Sequence, residues 1–134
     1  MTGAVLGVDP GRDKAGFALL DRTGSVIEAG IAPVEALRER LGQVVAGQTV
    51  AALALGRGTN APAVAKRLRD LGLPIHLVDE YETSRRAREL YFRDHPPHGW
   101  RRLVPIGLQL PPRPVDDYAA ILIARRFLAR GSGP

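Results

Sequence analysis

Two short apolar runs constrain this chain more than any other feature. Val50–Leu55 is continuously apolar, and so, apart from His76, is Pro74–Val78. A strand with one wet face alternates apolar and polar residues, whereas an unbroken run marks a strand covered on both faces. Between the two runs, Thr59-Asn60 can cap a helix to about Leu71, with Val64, Leu68 and Leu71 turned inward and Gly72 ending it. Strand, helix and strand in this order form the crossover unit of a parallel sheet.

The segments before this unit have a different period. Ala4–Val8 is apolar and is stopped by Asp9-Pro10-Gly11. Gly16–Asp21 and Val26–Ile31 read as two more strands, joined by the turn Arg22-Thr23-Gly24-Ser25. Together they make an antiparallel meander. Pro33 then serves as a first-turn residue of a helix in which Val34, Leu37, Leu41 and Val44-Val45 recur at helical spacing. After the last apolar run, Thr83 or Ser84 can cap a helix to about Phe92. Residues 93–114 hold Pro96, Pro97, Pro105, Pro111, Pro112 and Pro114 and cannot be one helix, and Val115–Ala129 is the final helix. The order β-β-β-α-β-α-β-α-loop-α predicts an α/β domain. Its mixed five-stranded sheet has three antiparallel strands then two parallel ones, flanked by about four helices. A single domain over residues 1–130 is expected, with 131–134 as a flexible tail.

Composition limits the chemistry. The 134 residues include no cysteine, which excludes disulfides, cysteine-zinc sites and thiol catalysis. No apolar run approaches the ~20 residues of a membrane span, and Met1-Thr2-Gly3-Ala4 does not open a signal peptide. A cytoplasmic protein without membrane partners is expected. The net charge is +5, and it is unevenly placed: residues 1–84 carry 9 basic and 10 acidic side chains, residues 85–134 carry 10 and 4. Every basic residue of that last third is arginine, and the segregation points to a binding face for a polyanion.

Three acidic positions interrupt or end apolar elements: Asp9, Asp79-Glu80 and Asp116-Asp117. Each alone has an ordinary explanation, as a turn residue or a carboxylate at a helix start. The first and fourth strands would be neighbours in the expected sheet, so their ends would come together. Carboxylates gathered at a sheet edge hold Mg²⁺ or Mn²⁺ through oxygen ligands, and such ions support phosphodiester cleavage.

These segments resemble a known family. Val5-Leu6-Gly7-Val8-Asp9-Pro10-Gly11, with Gly16 downstream, looks like the first strand and turn of RuvC-like nucleases. Leu77-Val78-Asp79-Glu80-Tyr81-Glu82-Thr83 resembles the "DER.T" block of the YqgF/RuvX family. Val115-Asp116-Asp117-Tyr118-Ala119-Ala120-Ile121-Leu122-Ile123 resembles its final "D..AA..IL" helix. The resemblance runs from about residue 4 to 129 and implies an RNase H-like fold. It also implies a metal-dependent endonuclease that resolves Holliday junctions, processes the 5′ end of precursor 16S rRNA, or both. Carried over, the catalytic set is Asp9, Glu80 and Asp116, with Asp9, Glu80, Asp116 and Asp117 as the metal-binding set for Mg²⁺ or Mn²⁺. Helical spacing does not choose between Asp116 and Asp117; the motif favours Asp116.

The chain departs from the family pattern at Arg12-Asp13-Lys14, at Leu55-Gly56-Arg57-Gly58-Thr59 and at Tyr81. Candidate nucleic-acid contacts are Lys14, Arg57, Arg85, Arg86, Trp100, Arg101 and Arg102. Trp100 beside two arginines suits stacking on an unpaired base. His76 reads as structural, and His95 and His98 as loop residues. The partner expected is a four-way DNA junction or precursor rRNA. A homodimer is compatible with this, because paired cleavage of a junction needs two copies. Two other classes fit the same residues less fully: a non-catalytic nucleic-acid-binding module on an RNase H-like scaffold, and a small relative of actin-like ATPases.

Overall fold

A computed structural model of the chain describes residues 3–79, 83–97, 99, 103 and 114–131. Strands β1 (Ala4–Asp9), β2 (Lys14–Leu20) and β3 (Val26–Pro33) are followed by α1 (Val34–Val45), β4 (Val50–Gly56), α2 (Ala61–Leu68), β5 (Ile75–Val78), α3 (Thr83–Asp94) and α4 (Asp116–Gly131). The five strands form one sheet in the order β3-β2-β1-β4-β5. β1 pairs antiparallel with β2 and parallel with β4, and β4 pairs parallel with β5. The expected mixed sheet with four helices is therefore present. No described helix is long and apolar enough to cross a membrane.

Local chemistry sets the element ends. The β2–β3 hairpin closes on Asp21, whose Oδ1 accepts from the Thr23 amide (2.9 Å), the Thr23 hydroxyl (2.6 Å) and the Ser25 amide (3.1 Å). The Thr23 hydroxyl and then the Ser25 amide hold this carboxyl below its usual range. Gly24 supplies the turn's positive φ of 90°. Several details differ from expectation, among them Pro33, which ends β3 with extended backbone and precedes α1 instead of opening it. β2 begins at Lys14 rather than Gly16, because pairing with β3 extends to Lys14↔Pro33. α2 stops at Leu68 and tightens into a 3₁₀ turn over Arg69–Leu71, which Gly72 ends at φ 77°. Asn60 precedes α2 without a side-chain capping bond.

The period of two divides the strands between two cores. Leu6, Val8, Phe17, Leu19, Leu53 and Leu55 face α1 and α2, where they meet Leu37, Leu41, Val64 and Leu68. Fully burying each such leucine contributes about 1.5–3 kcal/mol. The opposite face carries Val5, Ala18, Leu20, Ala52 and Ala54 and packs against Tyr91 and Phe92 of α3 and Ala120, Ile123 and Phe127 of α4.

Candidate active site

Asp9 ends β1, and alternation from Val5 and Gly7 puts it on the face that α4 covers. Its partner across the antiparallel ladder is Gly16. A Cβ on Gly16 would overlap the Asp116 carbonyl and lie 2.8 Å from the Asp117 nitrogen. The first turn of α4 therefore rests on the bare backbone opposite Asp9. One pleat further along, a Cβ on Gly7 would overlap the Ala120 carbonyl and lie 2.8 Å from the Ala124 Cβ. Two glycines on neighbouring strands thus let α4 approach the sheet closely. The end of β1, with Asp9, and the start of α4, with Asp116, both abut Gly16 because no side chain stands between the helix and the sheet there.

Asp116 is half-buried. Burial raises its carboxyl above the ordinary aspartate range; the Lys14 ammonium opposes that shift, and Asp117 adds to it. Lys14 opens β2 and is exposed, and its charge acts on Asp116. The positive end of the α4 dipole also favours negative charge there.

The parallel strands bring further residues to this end of the sheet. Val8 lies beside Leu55, Gly56 lies beside Val78, and the Arg57 amide donates to the Val78 carbonyl at 2.7 Å. Asp79 follows and is exposed. Its carbonyl accepts from the Arg126 guanidinium, ten residues further along α4 than Asp116. Glu80, the third carboxylate implied by the resemblance, lies outside the described residues, as do His98, Trp100, Arg101 and Arg102.

Among the described residues, no three His, Cys, Asp or Glu side chains gather as a metal site. Asp9, Asp116 and Asp117 thus do not form a closed ligand set on their own. Their chemistry still fits a hard divalent ion. They offer carboxylate oxygens, and Asp116 carries a desolvation penalty that a bound cation would relieve. Mg²⁺ commonly keeps several waters and takes only one or two protein carboxylates together with substrate phosphates.

The arginine-rich last third serves more than one purpose. Arg126 and Arg130 bind the outward carbonyls of Asp79 and Leu77 along the edge of β5, the latter at 2.8 Å. Arg125 donates to the Gly24 carbonyl at 3.1 Å. These three fasten α4 to β5 and to the β2–β3 turn, so part of the surplus charge holds the fold together. Arg85 and Arg86 are exposed on the first turns of α3, and Arg57 is exposed after β4. The helices α3 and α4 run antiparallel, with the Tyr118 hydroxyl donating to Asp94 Oδ2 at 2.9 Å. Arg85 and Arg86 therefore lie beside Arg125 and away from Asp116. His76 packs at a tilt against Phe127 with ring centroids 5.0 Å apart, as a structural residue would, and His95 stacks on Tyr91 at 4.6 Å.

Sequence reasoning missed the seating glycines, the Tyr118–Asp94 tie and the arginine staples. The i, i+4 spacing of Arg126 and Arg130 was the available signal for the staples.

No protein-family model matches the chain, and no curated protein matches it. Solved structures do. The chain is similar to a Thermus thermophilus RuvC structure at 14% identity and TM-score 0.56, covering 96% of both chains. It is also similar to T. thermophilus RuvC in complex with Holliday junction substrate, at 18% identity and TM-score 0.60, covering 97% of this chain and 96% of that one. This likeness shows the fold, which is RNase H-like as the motifs imply.

Proposed function

We propose that this chain is a Mg²⁺- or Mn²⁺-dependent endonuclease that cleaves phosphodiester bonds in structured nucleic acid. The observation that carries the proposal is that Gly16 pairs with Asp9 and also seats the Asp116 backbone, so both acidic positions border one glycine. The end-to-end likeness to a RuvC solved with a Holliday junction supports it. Asp9 and Asp116 would hold the cation, with Glu80 completing the set and Asp117 alongside. A divalent ion held there supplies Lewis-acid stabilisation of phosphoryl oxygens and a more acidic water. Lys14 offsets negative charge at the carboxylates and is placed to meet a phosphate. Arg57, together with Trp100, Arg101 and Arg102, would hold the flanking strand.

The four-way junction is the substrate this reading favours, and the 5′ end of precursor 16S rRNA is the alternative within it. A cytoplasmic enzyme acting as a homodimer on junctions belongs to the same reading. A non-catalytic nucleic-acid-binding module is the second reading, motivated by the departures from the family pattern at Arg12-Asp13-Lys14, Leu55-Gly56-Arg57-Gly58-Thr59 and Tyr81. The test is a cleavage panel of labelled four-way junctions, single-stranded RNA and precursor 16S rRNA, with Mg²⁺, with Mn²⁺ and with chelator. Metal-stimulated cuts in one structured substrate are expected. Tight binding with no cleavage of any substrate would select the second reading.

A further inference from the structure

We propose that the cleft between α3 and α4 is a second anchoring site for nucleic acid, taking the phosphodiester backbone of a strand away from the acidic pair. The idea rests on the reading that the chain acts on nucleic acid. A groove of about 280 Å³ opens between the helices. Arg85, Arg86 and Arg93 of α3 and Arg125 of α4 line it, Glu89 is the one acid among its described residues, and Leu122 adds apolar surface. Four guanidinium groups line one narrow groove, a concentration of positive charge that favours an anionic partner. Arg125 uses one donor on the Gly24 carbonyl and keeps the rest of its five, already oriented. Arg85 stands 3.8 Å from Glu89, with both side chains about half exposed. A pair of that kind holds its arginine weakly.

The chemistry of the lining selects the ligand. Guanidinium forks match phosphate oxygens. The described lining has no aromatic ring on which a base could stack, so the groove reads backbone and not sequence. Arg86 and Arg93 are two helical turns apart, about 10 Å along α3, which spans about three phosphate steps of a duplex strand. Leu122 and Arg125 lie six and nine residues past Asp116 on α4. That is about 9–14 Å along the axis. One strand can therefore meet the groove three or four nucleotides from the acidic pair.

The test is fluorescence anisotropy of a labelled four-way DNA junction over a salt titration, with chelator present so that nothing is cut. The double variant Arg86→Gln/Arg93→Gln should bind about tenfold more weakly and lower the slope of log K against log salt by about 2. Glu89→Gln should bind two- to threefold more tightly, a gain that a folding defect cannot mimic. Lys66→Gln, on α2 at the other face, should change neither. An unchanged slope in the double variant, no gain in Glu89→Gln, or no binding by the wild type overturns the proposal. So does loss of the arginine-dependent part on adding inorganic phosphate at constant ionic strength, which would assign the groove to a free anion. If the slope falls while the wild type cuts nothing, the groove stands and the nuclease reading fails. If the wild type cuts and the slope is unchanged, the reverse holds.

Discussion

The two faces of the sheet are built on opposite rules. The face toward α1 and α2 is filled by large side chains, with Leu6, Phe17, Leu19, Leu53 and Leu55 fully buried. The face toward α4 holds Val5, Leu20 and Val78 as well, but is otherwise reduced to Gly7, Gly16, Ala18, Ala52 and Ala54. The first face supplies apolar burial. The second lets helix backbone lie on strand backbone, and that close approach seats Asp116 on Gly16, the ladder partner of Asp9. Stability and site geometry are thus assigned to different sides of the same five strands.

Substitutions on each side can break or sharpen that contrast. The largest loss of stability is expected on the bulky face. Phe17→Ala should cost about 3–5 kcal/mol in urea unfolding, while folded protein retains its metal-stimulated cleavage. Gly16→Ala should cost about 1–3 kcal/mol, because the new methyl group meets Asp116 backbone and not a yielding side-chain tip. Unlike Phe17→Ala, it should also abolish cleavage by folded protein, since the helix start, with Asp116, must move. Equal cleavage by these two variants would dissolve the contrast.

The same glycine-to-alanine change on α1 should have the opposite sign. Gly42 has no heavy atom within 4 Å of a built Cβ, so Gly42→Ala should stabilise by about 0.5–1 kcal/mol in the same unfolding assay. The smallest effect concerns Asp116. Its folded-state carboxyl is raised, chiefly by burial, so the fold prefers it protonated. The resulting penalty is absent below the unfolded aspartate value near 3.8 and grows as pH rises through the raised folded value. Asp116→Asn should therefore melt slightly above wild type at pH 7 and together with it near pH 3, as thermal scans across that range would read.

Much of this arrangement was legible in the sequence. The apolar runs at Val50–Leu55 and Pro74–Val78 fixed the parallel half of the sheet. Asp9 and Asp116 stood out because a carboxylate at the end of an apolar element needs a reason. Their shared seat on Gly16 was not legible, since it depends on Gly16 lying opposite Asp9 in a ladder whose register no local pattern states. Net charge misled in part for a similar reason. Arg126 and Arg130 count as surplus positive charge in the sequence, yet in the fold they bind the carbonyls of Asp79 and Leu77. Composition cannot separate an arginine that holds a strand edge from one that holds a phosphate. The early arginines of α3 follow Glu80 in sequence, but the antiparallel packing of α3 on α4 carries them toward Arg125.

The most direct measurement is the rate of four-way junction cleavage, with Mg²⁺ or Mn²⁺, by wild type, Asp9→Asn and Asp116→Asn. Both variants remove a carboxylate while keeping its shape, and Asp116→Asn should fold at least as well as wild type. The account predicts that each loses at least about a hundredfold in rate, on the scale of removing a charge-stabilising group from an active site, while still binding the junction. Cleavage at the wild-type rate by either variant would contradict it.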